Sequence, residues 1–329
     1  SNVMQKRHLA AILLYGCPRE DPEFPRMLLG TAFTSPLYVL ITPREQIVFC
    51  NRWRVDDLRP RSTIKKFVGC AGQDDLIQQV LKKIGKHTRI GYAGLAPYNH
   101  LKNITAQLVD VSDDLVMMSI IKSPYELALL RKTTQTLSLA MHATPAVGDT
   151  EKDVAAKIRA RASSADDIQL NITAGPRLKK TTCAVPSNYK LKKGDIVCID
   201  CVISINGYHA DLTRCISVGK NNNFKYYQQL CNAHEAVIQK LTPGANSSAI
   251  HSMYRKELAR YGLAKYFVPL DTGHGIGFGR HEPPDIGEDH SVLQPGTVFT
   301  LEPEINLGTI RLRVEDMIIM TKHGAKKIS

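Results

Sequence analysis

Ile199-Asp200-Cys201-Val202-Ile203-Ser204-Ile205-Asn206-Gly207-Tyr208-His209-Ala210-Asp211-Leu212-Thr213-Arg214 is the stretch on which the fold turns. Asn206-Gly207 between two apolar runs is the strongest short hairpin signal, because both turn positions must accept positive φ. The predicted strands are Asp195 to Ile205 and Tyr208 to Val218. A two-residue turn pairs Ile205 with Tyr208, and counting back sets Asp200 opposite Thr213 and Val202 opposite Asp211. Both aspartates then share one face as diagonal neighbours, with backbones about 7–8 Å apart. One extra residue in either strand would break that register. Carboxylates converging beside a core repel and resist desolvation unless a cation or a proton stands between them. A metal ion is the simplest partner.

Further chemistry lies downstream. Asp271-Thr272-Gly273-His274-Gly275-Ile276-Gly277 sets a histidine among glycines, which let backbone and imidazole come close to a bound ion. His281 follows in Arg280-His281-Glu282-Pro283-Pro284. Phe299-Thr300-Leu301-Glu302-Pro303 and Arg313-Val314-Glu315-Asp316 each deliver a glutamate from an apolar strand context. Glu304, two residues past Glu302, is predicted to share its strand face and competes as a ligand.

Before residue 120 the chain alternates short apolar runs (Ala10 to Leu14, Leu37 to Ile41, Gln46 to Phe49, Arg89 to Gly91) with helical candidates such as Asp74 to Ile84. That pattern predicts an α/β domain over residues 1–120, with no clustered chemistry, ahead of a second domain over 121–329. Ser123-Pro124-Tyr125-Glu126 carries the hydroxyl, proline and glutamate of a helix start, and Pro145 with Gly148 closes the run. Thr150 caps a second helix, while Phe224 to Leu241 and Ser248 to Tyr261 read as two more. Val298 to Glu302 and Arg311 to Thr321 are expected as the last strand pair.

Composition removes several classes of function. No apolar run approaches the roughly 18 residues a membrane span requires, so membrane binding is not expected. Ser1-Asn2-Val3 ahead of Met4 reads as a cloning remnant, and Leu9 to Leu14 as a core strand, not as the core of a lipoprotein signal ending at Cys17. Cysteines at 17, 50, 70, 183, 198, 201, 215 and 231 show no secreted-scaffold spacing, which points to a cytoplasmic home. Cys198 and Cys201 form a C-x-x-C inside a strand, where residues three apart point to opposite faces and cannot share a zinc ion. The net charge of +12 comes with basic clusters at Lys65-Lys66, Lys82-Lys83, Arg177 to Lys180 and Lys190 to Lys193. Aromatic residues do not interleave with them, so nucleic-acid binding is not expected.

Asp200, Asp211, the glycine-rich histidine and the two glutamates, in that order and wording, resemble the M24 "pita-bread" metallopeptidases. The resemblance is nearest to the Xaa-Pro branch of aminopeptidase P, prolidase and creatinase, whose opening helix is matched by Lys122-Ser123-Pro124-Tyr125-Glu126. It covers residues from about 120 to 323 well and the first domain loosely. It implies a mixed α/β chain: a creatinase-like N-terminal domain, then a pita-bread catalytic domain with a curved, mainly antiparallel sheet flanked by helices. It further implies two divalent metal ions, Mn²⁺ foremost, with Co²⁺, Fe²⁺ and Zn²⁺ also compatible. Asp200 would hold one ion, Asp211 and Glu315 would bridge both, and His274 with Glu302 would complete the second. A metal-bridging hydroxide would attack a peptide carbonyl, with Glu302 passing the proton to the leaving amine and His281 bonding the oxyanion. Arg313 matches an arginine near the metal site of that branch. The implied protein is an Xaa-Pro aminopeptidase or dipeptidase, acting on peptides as a homodimer.

Two departures stand out. Relatives carry a substrate-contacting histidine where this chain has Thr182 or Cys183, and the small residue usual after the first aspartate is replaced by Cys201. They keep two other readings open: a non-catalytic pita-bread protein that binds protein or RNA, and a metal-free amidinohydrolase of creatinase type, which would have altered ligand positions.

Overall fold

The computed structural model describes residues 2–17, 24–31, 33–85, 89–270, 272–287 and 290–329, so Asp271 of the glycine-rich run lies outside the described residues. The chain divides into two compact units, Ser1–Ser119 and Ile120–Ser329.

The first unit is built on a six-stranded sheet in the order Phe67–Cys70, Gln46–Asn51, Leu37–Ile41, Ala11–Gly16, Arg89–Ala93, Gln107–Asp110. The Leu9 to Leu14 run supplies the inner strand Ala11–Gly16, buried along its whole length. It pairs antiparallel with Leu37–Ile41 and parallel with Arg89–Ala93. Its side chains alternate between two cores, Ile12 and Leu14 on one face and Ala11, Leu13 and Tyr15 on the other. Helix Gln73–Ile84 covers the second face through Leu76, Ile77, Val80 and Ile84, the spacing of an amphipathic helix.

In the second unit the hairpin forms as its residues require. Strands Ile196–Ile205 and Tyr208–Ser217 pair without a bulge, placing Asp200 opposite Thr213, Val202 opposite Asp211 and Ile205 opposite Tyr208. Asn206 and Gly207 both take positive φ, 50° and 81°, as a two-residue turn of this hand demands. Strand Asp167–Ala174 adds to the other edge of Ile196–Ile205 and brings Asn171 directly opposite Asp200. The hairpin is covered on both faces. Cys198 lies in a core with Cys215, Leu230 and Tyr254, and Cys201 in another with Leu130, Val154 and Leu212, so the C-x-x-C pair is split between opposite faces.

Helix Pro124–Ala140 begins with a complete capping box, in which Ser123 accepts from the Glu126 backbone and Glu126 from the Ser123 backbone. Helix Glu151–Arg161 repeats the device with Thr150 and Asp153. Helices Phe224–Lys240 and Ala249–Ala259 close the other side.

The last strands correct the sequence reading. Arg311 to Thr321 is not one strand: Arg311–Arg313 belongs to a three-stranded sheet and Asp316–Thr321 to a five-stranded one. The partner chain breaks in the same place, with Val298–Leu301 in the larger sheet and Glu304–Asn306 in the smaller. Pro303 has no N–H to give a ladder, which favours a switch there. Glu302 and Glu315 thus occupy the two breaks between sheets, and Glu315 makes a single bridge back to Thr213 of the hairpin. Glu304 is past the break and does not share a strand face with Glu302.

Gly207→Val should cost about 1–3 kcal/mol, because a β-branched residue is strained at positive φ. Urea unfolding of the wild type and the variant checks this, and an unchanged midpoint would mean the turn does not constrain the hairpin.

Candidate metal centre

Five side chains reach one buried locus from separate elements. Asp200 and Asp211 come from the hairpin, Glu302 and Glu315 from the breaks between sheets, and His274 from the short strand His274–Gly275. All five are buried. His274 is delivered by close backbone approach: Gly273 has φ +147°, and a Cβ there would lie 2.1 Å from the Thr300 carbonyl oxygen. The Thr300 hydroxyl accepts from the His274 backbone N–H at 3.1 Å.

The donors form adjoining trios. Asp200, Asp211 and Glu315 each offer an oxygen, all within 4.8 Å of one another, and His274, Glu302 and Glu315 form a second trio within the same limit. Asp211, His274 and His281 form a third. His281 is exposed at the edge, its ring 4.0 Å from that of His274 between centroids. Arg313 donates from Nη1 to Glu302 Oε2 at 2.9 Å, while Glu302 Oε1 lies 3.6 Å from His274 Nε2. Glu304 stands in none of these trios, its oxygens being taken by Thr182 and Arg311.

This donor set fits divalent cations. Asp211 Oδ1 and Glu315 Oε1 are buried with no hydrogen-bond donor, a costly arrangement unless a positive charge completes it. Burial holds the Asp211 carboxyl well above its usual range, with the charges of Glu315 and Asp200 adding to the effect. Burial, then the charge of Asp200, pushes Glu315 up to about 7. Burial and the neighbouring His281 hold His274 down to about 3, so its imidazole is neutral, the form a metal requires.

Several supporting residues escape a motif-level reading. Asn171 donates to Asp200 Oδ2 at 3.2 Å, and Thr213 donates to Glu315 Oε2 at 2.8 Å. Thr213 was legible as the register partner of Asp200, whereas Asn171 sits on a strand that carries no motif. Lys122 Nζ, buried at the start of the second unit, donates to Glu282 Oε2 at 2.6 Å, and Glu282 Oε1 accepts from the Gly279 backbone. This pair fastens the turn that presents His281.

Buried acids and an imidazole gathered at the junction of open sheets define a metal-dependent hydrolase. The chain belongs to metallopeptidase family M24, whose model matches residues 128–322. Among its relatives, the Xaa-Pro dipeptidase of Pyrococcus horikoshii is 28% identical over 313 residues, which span 90% of this chain and 88% of that one. The Xaa-Pro dipeptidase of Pyrococcus furiosus is 26% identical over 318 residues, with the same coverage. The crystal structure of the Pyrococcus horikoshii prolidase superposes with a TM-score of 0.85 at 26% identity, covering 99% of this chain and 95% of that one. The mixed α/β, open-sheet architecture expected from the sequence is therefore borne out, and the protein is a metallopeptidase that works with divalent metal ions. Among the described residues, no helix is long and apolar enough to cross a membrane.

The perturbed groups predict a pH signature for the metal-free protein. Glu315, raised from 4.5 to about 7, binds its proton more tightly folded than unfolded, so its contribution to stability is lost as pH rises through that window. Asp211 acts in the same sense. His274, lowered from 6.5, acts oppositely but only below 6.5. Asp316, held below its ordinary 3.8, titrates beneath the window. The melting temperature in EDTA should therefore fall from pH 5 to pH 7.5, most steeply above 6.5, and saturating Mn²⁺ should flatten the curve. Differential scanning fluorimetry reads both curves, and a metal-free profile rising through neutrality would contradict the assignment of these shifts.

Proposed function

We propose that this protein is a dinuclear hydrolase that removes the N-terminal residue from Xaa-Pro peptides, dipeptides included. The observation that carries the proposal is the pair of trios joined at Glu315, with buried oxygens of Asp211 and Glu315 lacking any donor. Asp200 would hold one cation, Asp211 and Glu315 both, and His274 with Glu302 the other. An oxygen-rich set with one imidazole suits Mn²⁺, with Co²⁺, Fe²⁺ and Zn²⁺ as alternatives. Bound there, such ions supply Lewis acidity that activates water and polarises the scissile carbonyl. The names of the two Pyrococcus relatives support an Xaa-Pro dipeptide as the substrate.

The side chains around the ions divide the remaining work. Glu302 takes the proton of the attacking water and returns it to the departing proline nitrogen. Arg313 fixes Glu302 Oε2, which leaves Oε1 on the His274 side. His281, at the exposed edge, donates to the carbonyl oxygen as negative charge builds there. All eight cysteines are free, which suits a reducing, cytoplasmic setting.

Manganese-loaded protein should release free amino acid from Xaa-Pro dipeptides, measured by chromatography. Glu302→Gln should lower kcat by about 10²–10⁴-fold, as expected for a lost proton carrier. His281→Ala should lower it by about 10²–10³-fold with little change in KM. A loaded wild type that cleaves neither Xaa-Pro dipeptides nor longer Xaa-Pro peptides would overturn the proposal.

A further inference from the structure

Glu304 is a buried carboxylate, 4% exposed, that the proposed chemistry leaves without a task. It lies directly across the ladder from Arg313. Its Oε2 accepts from the Thr182 hydroxyl at 2.6 Å and lies 3.4 Å from Arg313 Nε, and its Oε1 accepts from Arg311 Nη1 at 2.6 Å. Three residues thus hold it: Thr182 from its own segment, and Arg311 and Arg313 from the facing strand. The far end of Arg313 meets Glu302 Oε2.

This arrangement answers an electrostatic problem. A guanidinium in contact with Glu302 orients that carboxylate, yet its positive charge also opposes any cation the carboxylate is to bind. A negative charge on the other side of Arg313, kept out of the ligand cluster and shared with Arg311, offsets part of the second effect and preserves the first. Because Thr182 and Arg311 occupy its oxygens, Glu304 cannot swing in as a ligand without leaving both unsatisfied.

We propose that Glu304 is a positioning residue for the cation site, acting through Arg313, whose charge it partly offsets while holding it against Glu302. The proposal rests on the reading that the cluster of Asp200, Asp211, His274, Glu302 and Glu315 binds divalent cations. It assigns Thr182 a supporting role as the hydrogen-bond donor that fixes the Glu304 carboxylate.

The test is Mn²⁺ binding to the metal-stripped full chain, followed by isothermal titration calorimetry for the wild type, Glu304→Gln, Glu304→Ala, Arg313→Met and the Glu304→Ala/Arg313→Met double variant. Removing an outer partner of this kind typically weakens metal binding by about 10–100-fold, and that is the loss expected for both Glu304 variants. Glu304→Gln is nearly isosteric, so it carries the test if the alanine variant does not fold. The double variant should bind more tightly than Glu304→Ala, because the uncompensated guanidinium goes with the acid that partly offset it. Affinity of Glu304→Gln within about twofold of the wild type, far short of the usual effect, would overturn the proposal. So would a double variant no tighter than Glu304→Ala. A wild type that takes up no Mn²⁺ would instead sink the metal-site reading itself, before Glu304 comes into question.

Discussion

The arrangement depends on a cluster of acids that would not assemble for its own sake. Asp200, Asp211, Glu302 and Glu315 are all buried around one point, and desolvation together with mutual repulsion works against them there. The fold meets this by securing one oxygen on three of the four acids and leaving inner oxygens for a cation. Asp200 Oδ2 takes Asn171, Glu315 Oε2 takes Thr213 and Glu302 Oε2 takes Arg313. Glu315 Oε1 and Asp211 Oδ1 meet no donor, and Glu302 Oε1 lies toward His274. Without a cation, protonation is the only relief, which is why burial raises Asp211 and Glu315 above the ordinary carboxylate range.

Holding such a cluster requires backbone that cannot relax away from it. The hairpin is sandwiched between two hydrophobic cores, so neither face is free to move toward solvent. Each glutamate sits where the chain passes from one sheet to the other, flanked by residues whose ladders belong to different neighbours. A break in the ladder is also what lets a side chain leave the regular up-and-down alternation and aim at a point between sheets. Rigidity of the two sheets thus becomes precision at the site.

Much of this was legible in the sequence, for local reasons. Asn206-Gly207 admits essentially one turn type, and an unbulged ladder made the register of Asp200 and Asp211 a matter of counting. The hydroxyl-to-acid spacings at Ser123 and Thr150 placed two helix starts because a capping box is closed within four residues. The division of Arg311 to Thr321 into two strands was not legible, since apolar residues continue on both sides of the break and only the tertiary partner changes. Glu304 was misplaced for the same reason: spacing of two means one face only while the strand continues, and Pro303 ends it. Long-range pairs such as Lys122 with Glu282, separated by 160 positions, leave no local trace at all.

Thr182, buried, and Cys183, exposed, lie beside the proposed ligand cluster without joining it. Thr182 spends its hydroxyl on Glu304, an interaction that serves the Arg313 network and offers nothing to a substrate proton. Cys183 is exposed as a residue, yet partial desolvation of its thiol and the charge of Asp200 push it up to about 12, so it stays protonated throughout the neutral range. Neither residue can take the part of an imidazole, whose ordinary value lies near neutrality. On the proposed reading, proton handling falls to groups already at the centre, with Glu302 against Arg313 on one side and His281 beside His274 on the other. On that reading the proposed cation ligands and the Thr182–Cys183 segment are carried by different parts of the chain, so a change in the segment leaves the ligand set in place.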